Sequence, residues 1–391
     1  MSSTVHQTAL QMNRPEGSKR ILIINWRSPN DPRAGGAEIV TLEHAKRWVA
    51  AGHHVVWLSL PYSDLRTECL EGVECVYVGR VFPRGLSIAQ SLGFLMLSRA
   101  IFLAYKSHYQ GNVDIVIEEI HGIPLGTPLY VSEPLVSYIH EVAGEIWDRM
   151  YPFPFNRIGK IMEQTLLRLY RRIPFVTPSP STQRQLKELG IESEIHVAHN
   201  GLTLELGTCT PNKEGVLTVL FLNRFVKMKG PERALKMFAV LRNRQPAKLW
   251  LAGKGNSDYV QRLRKQAEDL GVERDVIFWG AVSEAKKKEL LSRAHVLINT
   301  SYKEGWGLVN IEANSQGTPV VAFRVPGNID SVAEGISGFL CEDDDLPQMV
   351  DNIIRAATTL TPSTCIEYAS QYEWDASSGK FLSVLLSATR A

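Results

Sequence analysis

Two successive series of short, uninterrupted apolar runs alternate with helical patterns along this chain of 391 residues. That alternation constrains the fold more than any other feature. The first series comprises Arg20–Trp26, His54–Leu60, Val73–Val78, Val113–Ile117, Leu135–Ile139, Phe175–Thr177 and Ile195–Val197. Runs without polar alternation fit strands buried on both faces, and repeated β-α units predict a parallel, doubly wound sheet. From Leu202 to Gly215 the pattern lapses into Thr, Cys, Pro, Asn, Lys and Gly, which reads as a linker. A second series follows: Leu217–Leu222, Lys248–Ala252, Val276–Phe278, Val296–Asn299, Pro319–Ala322 and Gly338–Leu340. The expected class is α/β, with similar-sized domains at 19–202 and 216–372 joined by 203–215. The carboxyl ends of both sheets should face one cleft, where ligands of open α/β sheets bind.

Composition narrows the function. Apolar residues at 44% and charged residues at 21% fit a globular protein. A net charge of +2 speaks against nucleic acid as a partner of the whole molecule. Cys69, Cys75, Cys209, Cys341 and Cys365 are odd in number and form no Cys-x-x-Cys, so reduced thiols in a cytoplasmic setting and no zinc site are expected. Residues 1–18 are polar and read as a disordered lead-in rather than a signal peptide. The most apolar stretch, Ile88–Tyr105, is broken by Gln90, Ser91, Ser98 and Arg99. A membrane span needs about 20 mostly apolar residues, so a buried helix is expected there.

Three motifs stand where chemistry is expected. Gly35-Gly36-Ala37-Glu38 closes the loop after the first strand and opens a helix. Paired glycines let backbone amides approach a ligand and a helix N-terminus favours an anion, although a plain βα turn would look the same. Arg224 and Lys229 flank the turn after the first strand of the second series. There a planar fork and a point charge can face a diphosphate, and as cleft residues their loss should change folding little. Glu304-Gly305-Trp306-Gly307 precedes a helix carrying Glu312. A carboxylate inside such a helix needs donors, which sugar hydroxyls supply, and the amides of Trp306 to Leu308 would meet an anion.

Together with Asn200-Gly201 and Gly253-Lys254-Gly255, these motifs resemble glycosyltransferase family 4 from about Lys19 to the C-terminus, most specifically from Glu304 to Gly317. The resemblance implies the GT-B architecture, two Rossmann-like domains facing across a cleft, and a retaining enzyme that uses nucleotide-diphospho-sugars. It implies that Arg224 and Lys229 hold the diphosphate above Gly36, with Gly35 beside it. Glu312 would bind the ribose and Glu304 the donor sugar. The amides of Gly305, Trp306, Gly307 and Leu308 would surround sugar and phosphate. His140 would contact the sugar from the first domain. Gly253 would line the donor site, and the backbone from Phe278 to Val282 would read the base edge. A C-terminal helix, 373–391, would cross back onto the first domain. Asn223 stands where the family usually has glycine, and His140-Glu141 where it reads His-Asp or His-Gly.

Arg224, Lys229 and helix N-termini would stabilise the leaving diphosphate without a metal ion, and no other cofactor is expected. Asp343-Asp344-Asp345 has the form of a metal motif but reads better as a helix cap. Weaker candidates are Trp26 and Arg27, for stacking on and binding an acceptor sugar. Glu118 and Glu119, placed at the end of Val113–Ile117, would bind acceptor hydroxyls, supply a base or simply lie in a surface loop. The stretch Asn156–Arg172 is a basic amphipathic helix, either packed on its own domain or in contact with an anionic membrane. The expected activity is transfer of a hexose, first glucose from UDP-glucose, to a saccharide or lipid-linked saccharide in envelope or exopolysaccharide synthesis. The rivals are GDP-mannose-dependent mannosyl transfer, a nucleotide-sugar epimerase of the same fold and a silent binding subunit.

Overall fold

The structure, a computed structural model, describes residues 17–79 and 98–390. Its first sheet contains β1 (Arg20–Ile24), β2 (His54–Ser59), β3 (Thr67–Leu70), β4 (Val73–Tyr77), β5 (Ile115–Ile120), β6 (Leu135–Ile139), β7 (Phe175–Thr177) and β8 (Ile195–Val197). Their order is β3-β4-β2-β1-β5-β6-β7-β8, parallel except for the β3–β4 pair. The second sheet contains β9 (Leu217–Leu222), β10 (Ala247–Ala252), β11 (Val276–Gly280), β12 (Val296–Asn299), β13 (Val320–Phe323) and β14 (Gly338–Cys341). It is parallel throughout, in the order β11-β10-β9-β12-β13-β14. In both sheets the order reverses beside the first strand of the series, and that switch point opens toward the cleft.

Every apolar run of the sequence overlaps one of these strands. The antiparallel β3 has no counterpart there, because Thr-Glu-Cys-Leu carries too little apolar character to register. The run Val113–Ile117 is displaced: its strand begins at Ile115 and continues through Glu118, Glu119 and Ile120, all buried. Two adjacent glutamates in a fully buried strand defeat an apolar-run criterion. The stretch Ile88–Tyr105 lies partly outside the described residues. Its described end, 98–104, is helical, with Ile101 and Tyr105 buried and Phe102 and Leu103 exposed.

The two sheets are joined at two adjacent crossings. Leu202 N–H donates to the Tyr372 carbonyl at 2.9 Å, and the Trp374 indole donates to Thr203 at 3.0 Å. The linker after that point lies on the second sheet's layer. Lys213 threads inward and donates to the Ala294 and Gly317 carbonyls and to Thr318, and burial pushes its amine down to about 8. The helix Trp374–Ala388 then packs on the first sheet's layer. Trp374, Phe381, Val384 and Leu385 join Val40, Ala45 and Trp48 of the helix Gly36–Ala50 in one core. Arg47 pairs with Asp375 at 2.7 Å across that contact.

Candidate active site

The loop after β12 is held by a buried polar chain. Asn299 donates to Asn310 at 3.0 Å, and Asn310 donates to Asn328 and Ser331. Asn299 in turn accepts from the Ser301 amide. Mutual hydrogen bonding of these buried amides favours one loop geometry. Gly307 at the mouth of the helix Leu308–Ser315 has φ +85, and a side chain there would strike Asn310 at 2.7 Å. Glycine is therefore required for the turn that aims the helix N-terminus at the cleft.

Glu304 projects from this loop and is 8% exposed. Ser301 Oγ donates to one carboxylate oxygen at 2.6 Å, and Lys229 Nζ meets the other at 2.7 Å. Lys229 comes from the turn after β9, so the two strand ends converge on one ion pair. Arg224, from the same turn, is exposed and, among the described residues, has no carboxylate partner. Its guanidinium lies about 3.5 Å from where a Cβ on Gly35 would stand. A cation of the second domain thus sits against the glycine pair of the first, at the start of the helix Gly36–Ala50.

Glu312 sits one side of this pair on the helix Leu308–Ser315. Lys287 of the helix Glu284–Arg293 donates to its Oε1 at 2.8 Å. Burial raises the Glu312 carboxyl, and Lys287 opposes that rise. Lys287 was not singled out from the sequence, since one lysine in Lys286-Lys287-Lys288 cannot be distinguished without knowing the helix phase. The Trp306 side chain does not face the cleft. It is buried and stacked on His199 at 4.4 Å, with Tyr372 beside it, so its ring is not free to stack on a ligand. Gly253 and Phe278 line a cavity of about 240 Å³ together with Phe225, Lys254, Arg264 and Trp279. Arg264 lies over the Phe278 ring at 4.4 Å. Val282 is partly buried against the apolar cluster that includes Leu290 and Leu297.

From the first domain, His140 closes β6. Its Nε2 lies 3.0 Å from Glu119 Oε1, and His121 Nε2 lies 2.9 Å from the same oxygen. Asn25 donates to the other Glu119 oxygen at 2.6 Å. Burial alone would raise the Glu119 carboxyl, but the two histidines outweigh it and hold it at about 2. Trp26 stacks on His121 at 5.6 Å, and Arg27 covers Trp26 at 4.4 Å while reaching Glu38 at 3.5 Å. Trp26, His121 and His140 therefore form a ladder of rings along the first domain's side of the cleft.

Glu118 points to the opposite face of β5, as strand alternation demands. It is wholly buried and accepts from the Leu125 amide, Thr127 and Tyr170. Its oxygens are thus spent inside the domain, which corrects its placing near an acceptor. The aspartate run is also engaged: Arg233 pairs with Asp343 and Asp344, and Asp345 caps the helix Leu346–Thr359 through the Gln348 amide. Among the described residues no group of three or more His, Cys, Asp or Glu is arranged to hold a metal ion.

The two halves touch across the cleft. A Cβ on Gly305 would stand 2.6 Å from the His140 carbonyl oxygen, so backbone meets backbone there. Lys303 donates to the Val142 carbonyl and to Gln185. Lys254 donates to the Pro32 carbonyl at 3.2 Å, and the Ser181 amide donates to Asp330.

Residues 34–206 match the family model Glycosyltransferase Family 4, and residues 210–371 match Glycosyl transferases group 1. The chain belongs to the GT-B glycosyltransferases. Among solved structures, this glycosyltransferase is similar to sucrose-phosphate synthase from Thermosynechococcus elongatus, with a TM-score of 0.77 at 18% identity over 95% of this chain and 100% of that one. It is also similar to HepE of Anabaena in complex with UDP and glucose, with a TM-score of 0.67 at 20% identity over 94% and 100%. At such identities the likeness concerns the fold alone. A curated relative, D-inositol 3-phosphate glycosyltransferase of Acidothermus cellulolyticus, is 32% identical over 40% of this chain and 38% of its own length. The mouse alpha-1,3/1,6-mannosyltransferase ALG2 is 31% identical over 32% and 33%. The chain thus spans well under half the length of these curated relatives.

Proposed function

We propose that this glycosyltransferase moves a hexose, with retention and without a metal ion, from a nucleotide-diphospho-sugar to a saccharide or lipid-linked saccharide. One observation carries the reading. Arg224, Lys229, Glu304 and the N-termini of Gly36–Ala50 and Leu308–Ser315 converge at the same point of the cleft, with His140 opposite. Two cations and two helix N-termini suit a diphosphate as its negative charge grows on bond cleavage. Glu304 and His140 then flank the sugar, and Glu312 takes the ribose once Lys287 has oriented it. A base fits beside β11. Retention follows if the acceptor attacks from the face the diphosphate leaves, with a donor phosphate oxygen taking the acceptor proton.

UDP-glucose is the first donor, a choice supported by the fold shared with HepE, which is in complex with UDP-glucose. GDP-mannose is the second, supported by the relative ALG2, a mannosyltransferase. The enzyme would work in envelope or exopolysaccharide synthesis, in the cytoplasm or peripherally at the membrane; none of the described helices is long and apolar enough to cross one. Nucleotide release from each donor, with and without a saccharide acceptor and with and without EDTA, tests the reading. Acceptor-dependent release that survives EDTA is expected. Release of nucleotide that never requires an acceptor, a donor epimerised without transfer, or restoration of activity by Mg²⁺ after chelation would overturn the corresponding part.

A further inference from the structure

Glu119 is too deeply placed to touch a substrate. It is 2% exposed, and Asn25, His121 and His140 enclose its carboxylate. Despite burial, the two histidines hold its carboxyl at about 2. It is therefore ionised and can only accept hydrogen bonds.

The bond to His140 consequently selects a tautomer. Nε2 of that ring lies 3.0 Å from Glu119 Oε1 and must carry the proton it donates. His121 Nε2 approaches the same oxygen at 2.9 Å but off its N–H axis, so it supplies charge rather than an aligned bond. A neutral imidazole with its proton on Nε2 keeps a lone pair on Nδ1. Among the described residues, Nδ1 of His140 has no partner. The residue stands at the cleft: a Cβ on Gly305, next to Glu304, would lie 3.5 Å from the Cβ of His140. Nδ1 can thus accept from a hydroxyl group bound there.

Asn25 decides what Glu119 must be. It is wholly buried just after β1, and its backbone amide donates to the Leu58 carbonyl at 3.0 Å. Its Oδ1 accepts from the Arg27 amide at 3.1 Å, so Nδ2 is the end that donates to Glu119 Oε2 at 2.6 Å. Glu119 must accept on both oxygens. A neutral amide of the same shape accepts on one only. With its oxygen kept at Asn25, its NH₂ would face His140 and require a lone pair on Nε2. The imidazole proton would then sit on Nδ1, and the acceptor in the cleft would become a donor.

We propose that Asn25 and Glu119 are positioning residues that hold His140 with its proton on Nε2, so that Nδ1 accepts a hydrogen bond from a hydroxyl of the transferred sugar. His140 touches the sugar; Glu119 and Asn25 act only through it. With the tautomer reversed, the hydroxyl must turn its own proton away from the ring, and the sugar loses that orientation. Lost orientation is felt in turnover more than in affinity. That the hydroxyl belongs to a transferred sugar rests on the transfer reading above; the tautomer does not.

Nitrogen NMR of selectively labelled histidines reads the tautomer without donor or acceptor, the His140 signals being assigned by their loss in His140→Ala. Above the imidazole titration, wild type should carry the proton on Nε2 and Glu119→Gln on Nδ1. Adding Asn25→Asp to Glu119→Gln should reverse the change. The introduced carboxylate accepts from the introduced amide, turns the amide oxygen toward His140 and returns the proton to Nε2. Turnover should fall at least ~10-fold in Glu119→Gln at unchanged nucleoside diphosphate affinity. It should recover in the double variant, and fall no further when Glu119→Gln is added to His140→Ala. A wild-type ring protonated on Nδ1 overturns the proposal even if no variant folds. So does a Glu119→Gln ring that keeps its proton on Nε2, a reversed tautomer with wild-type turnover, or additive losses with His140→Ala. The expected tautomers in a chain that transfers no sugar would sink the transfer reading alone.

Discussion

Lys229 Nζ and Glu304 Oε2 meet at 2.7 Å, joining the turn after β9 to the loop after β12 at the mouth of the cleft. The pair places a residue expected at the diphosphate beside one expected at the sugar. It also changes what loss of the lysine should do. Lys229→Ala is expected to lower turnover by ~10²–10³, the usual loss for one charge-stabilising group. It should also lower stability by about 1–3 kcal/mol, because Glu304 is left nearly buried without its cation. Arg224→Ala should show the same loss of turnover with little change in stability. Turnover and thermal unfolding on the same preparations separate the two variants, and near-wild-type turnover in both would place the diphosphate elsewhere.

His140 reports on Glu119. His140→Ala should keep nucleotide affinity while transfer falls at least ~10-fold, since the ring orients the sugar rather than the nucleotide. Glu119 lies below its ordinary 4.5, at about 2. Its contribution to stability is therefore fully present above pH 4.5 and is lost as pH falls toward 2. Glu119→Gln removes that contribution, so its melting temperature should fall less steeply with acidification in this window. Calorimetry across the window checks the sign; parallel curves would mean that the histidines do not hold the carboxylate.

Glu312 and Glu304 should separate by step. Glu312→Ala is expected to weaken binding of the free nucleoside diphosphate, and Lys287→Ala to weaken it less, because it only orients the carboxylate. Glu304→Ala should depress transfer while leaving that affinity nearly intact. Titration calorimetry with the nucleoside diphosphate distinguishes them, and equal losses in the two glutamate variants would contradict the assigned roles.

Gly305 gates the contact between the halves. A methyl group there would meet the His140 carbonyl at 2.6 Å, so Gly305→Ala should hold the cleft apart. Transfer should fall at least ~10-fold as reacting groups are displaced, while the nucleotide still binds the second domain. Small-angle scattering should show a larger particle with saturating nucleotide than for wild type. An unchanged radius and full activity would show that the contact is dispensable.

Local pattern was enough to read the two β-α series, the break between them and the strand ends on which Arg224, Lys229, Glu304 and His140 stand. Such features are local: continuous apolar runs, glycines at turns and caps depend on neighbours a few residues away. It could not register β3, whose residues are half exposed, nor the continuation of β5 through Glu118 and Glu119. The roles of Glu118 and Glu119 separate only once the sheet is folded. A strand's alternation sends Glu118 to Tyr170 and Thr127, and Glu119 to His121, His140 and Asn25, and no spacing rule reveals which face is the cleft. The partners of Glu304 and Glu312 were likewise beyond reach. Lys229 comes from 75 positions away and Lys287 from 25, and such pairings exist only after the sheets have brought their strand ends together. The outward seating of Ile158 and Met162 has the same origin. The amphipathic period showed two faces, but the Trp147 indole and the loop amides bound by Glu163 selected the one turned to the core.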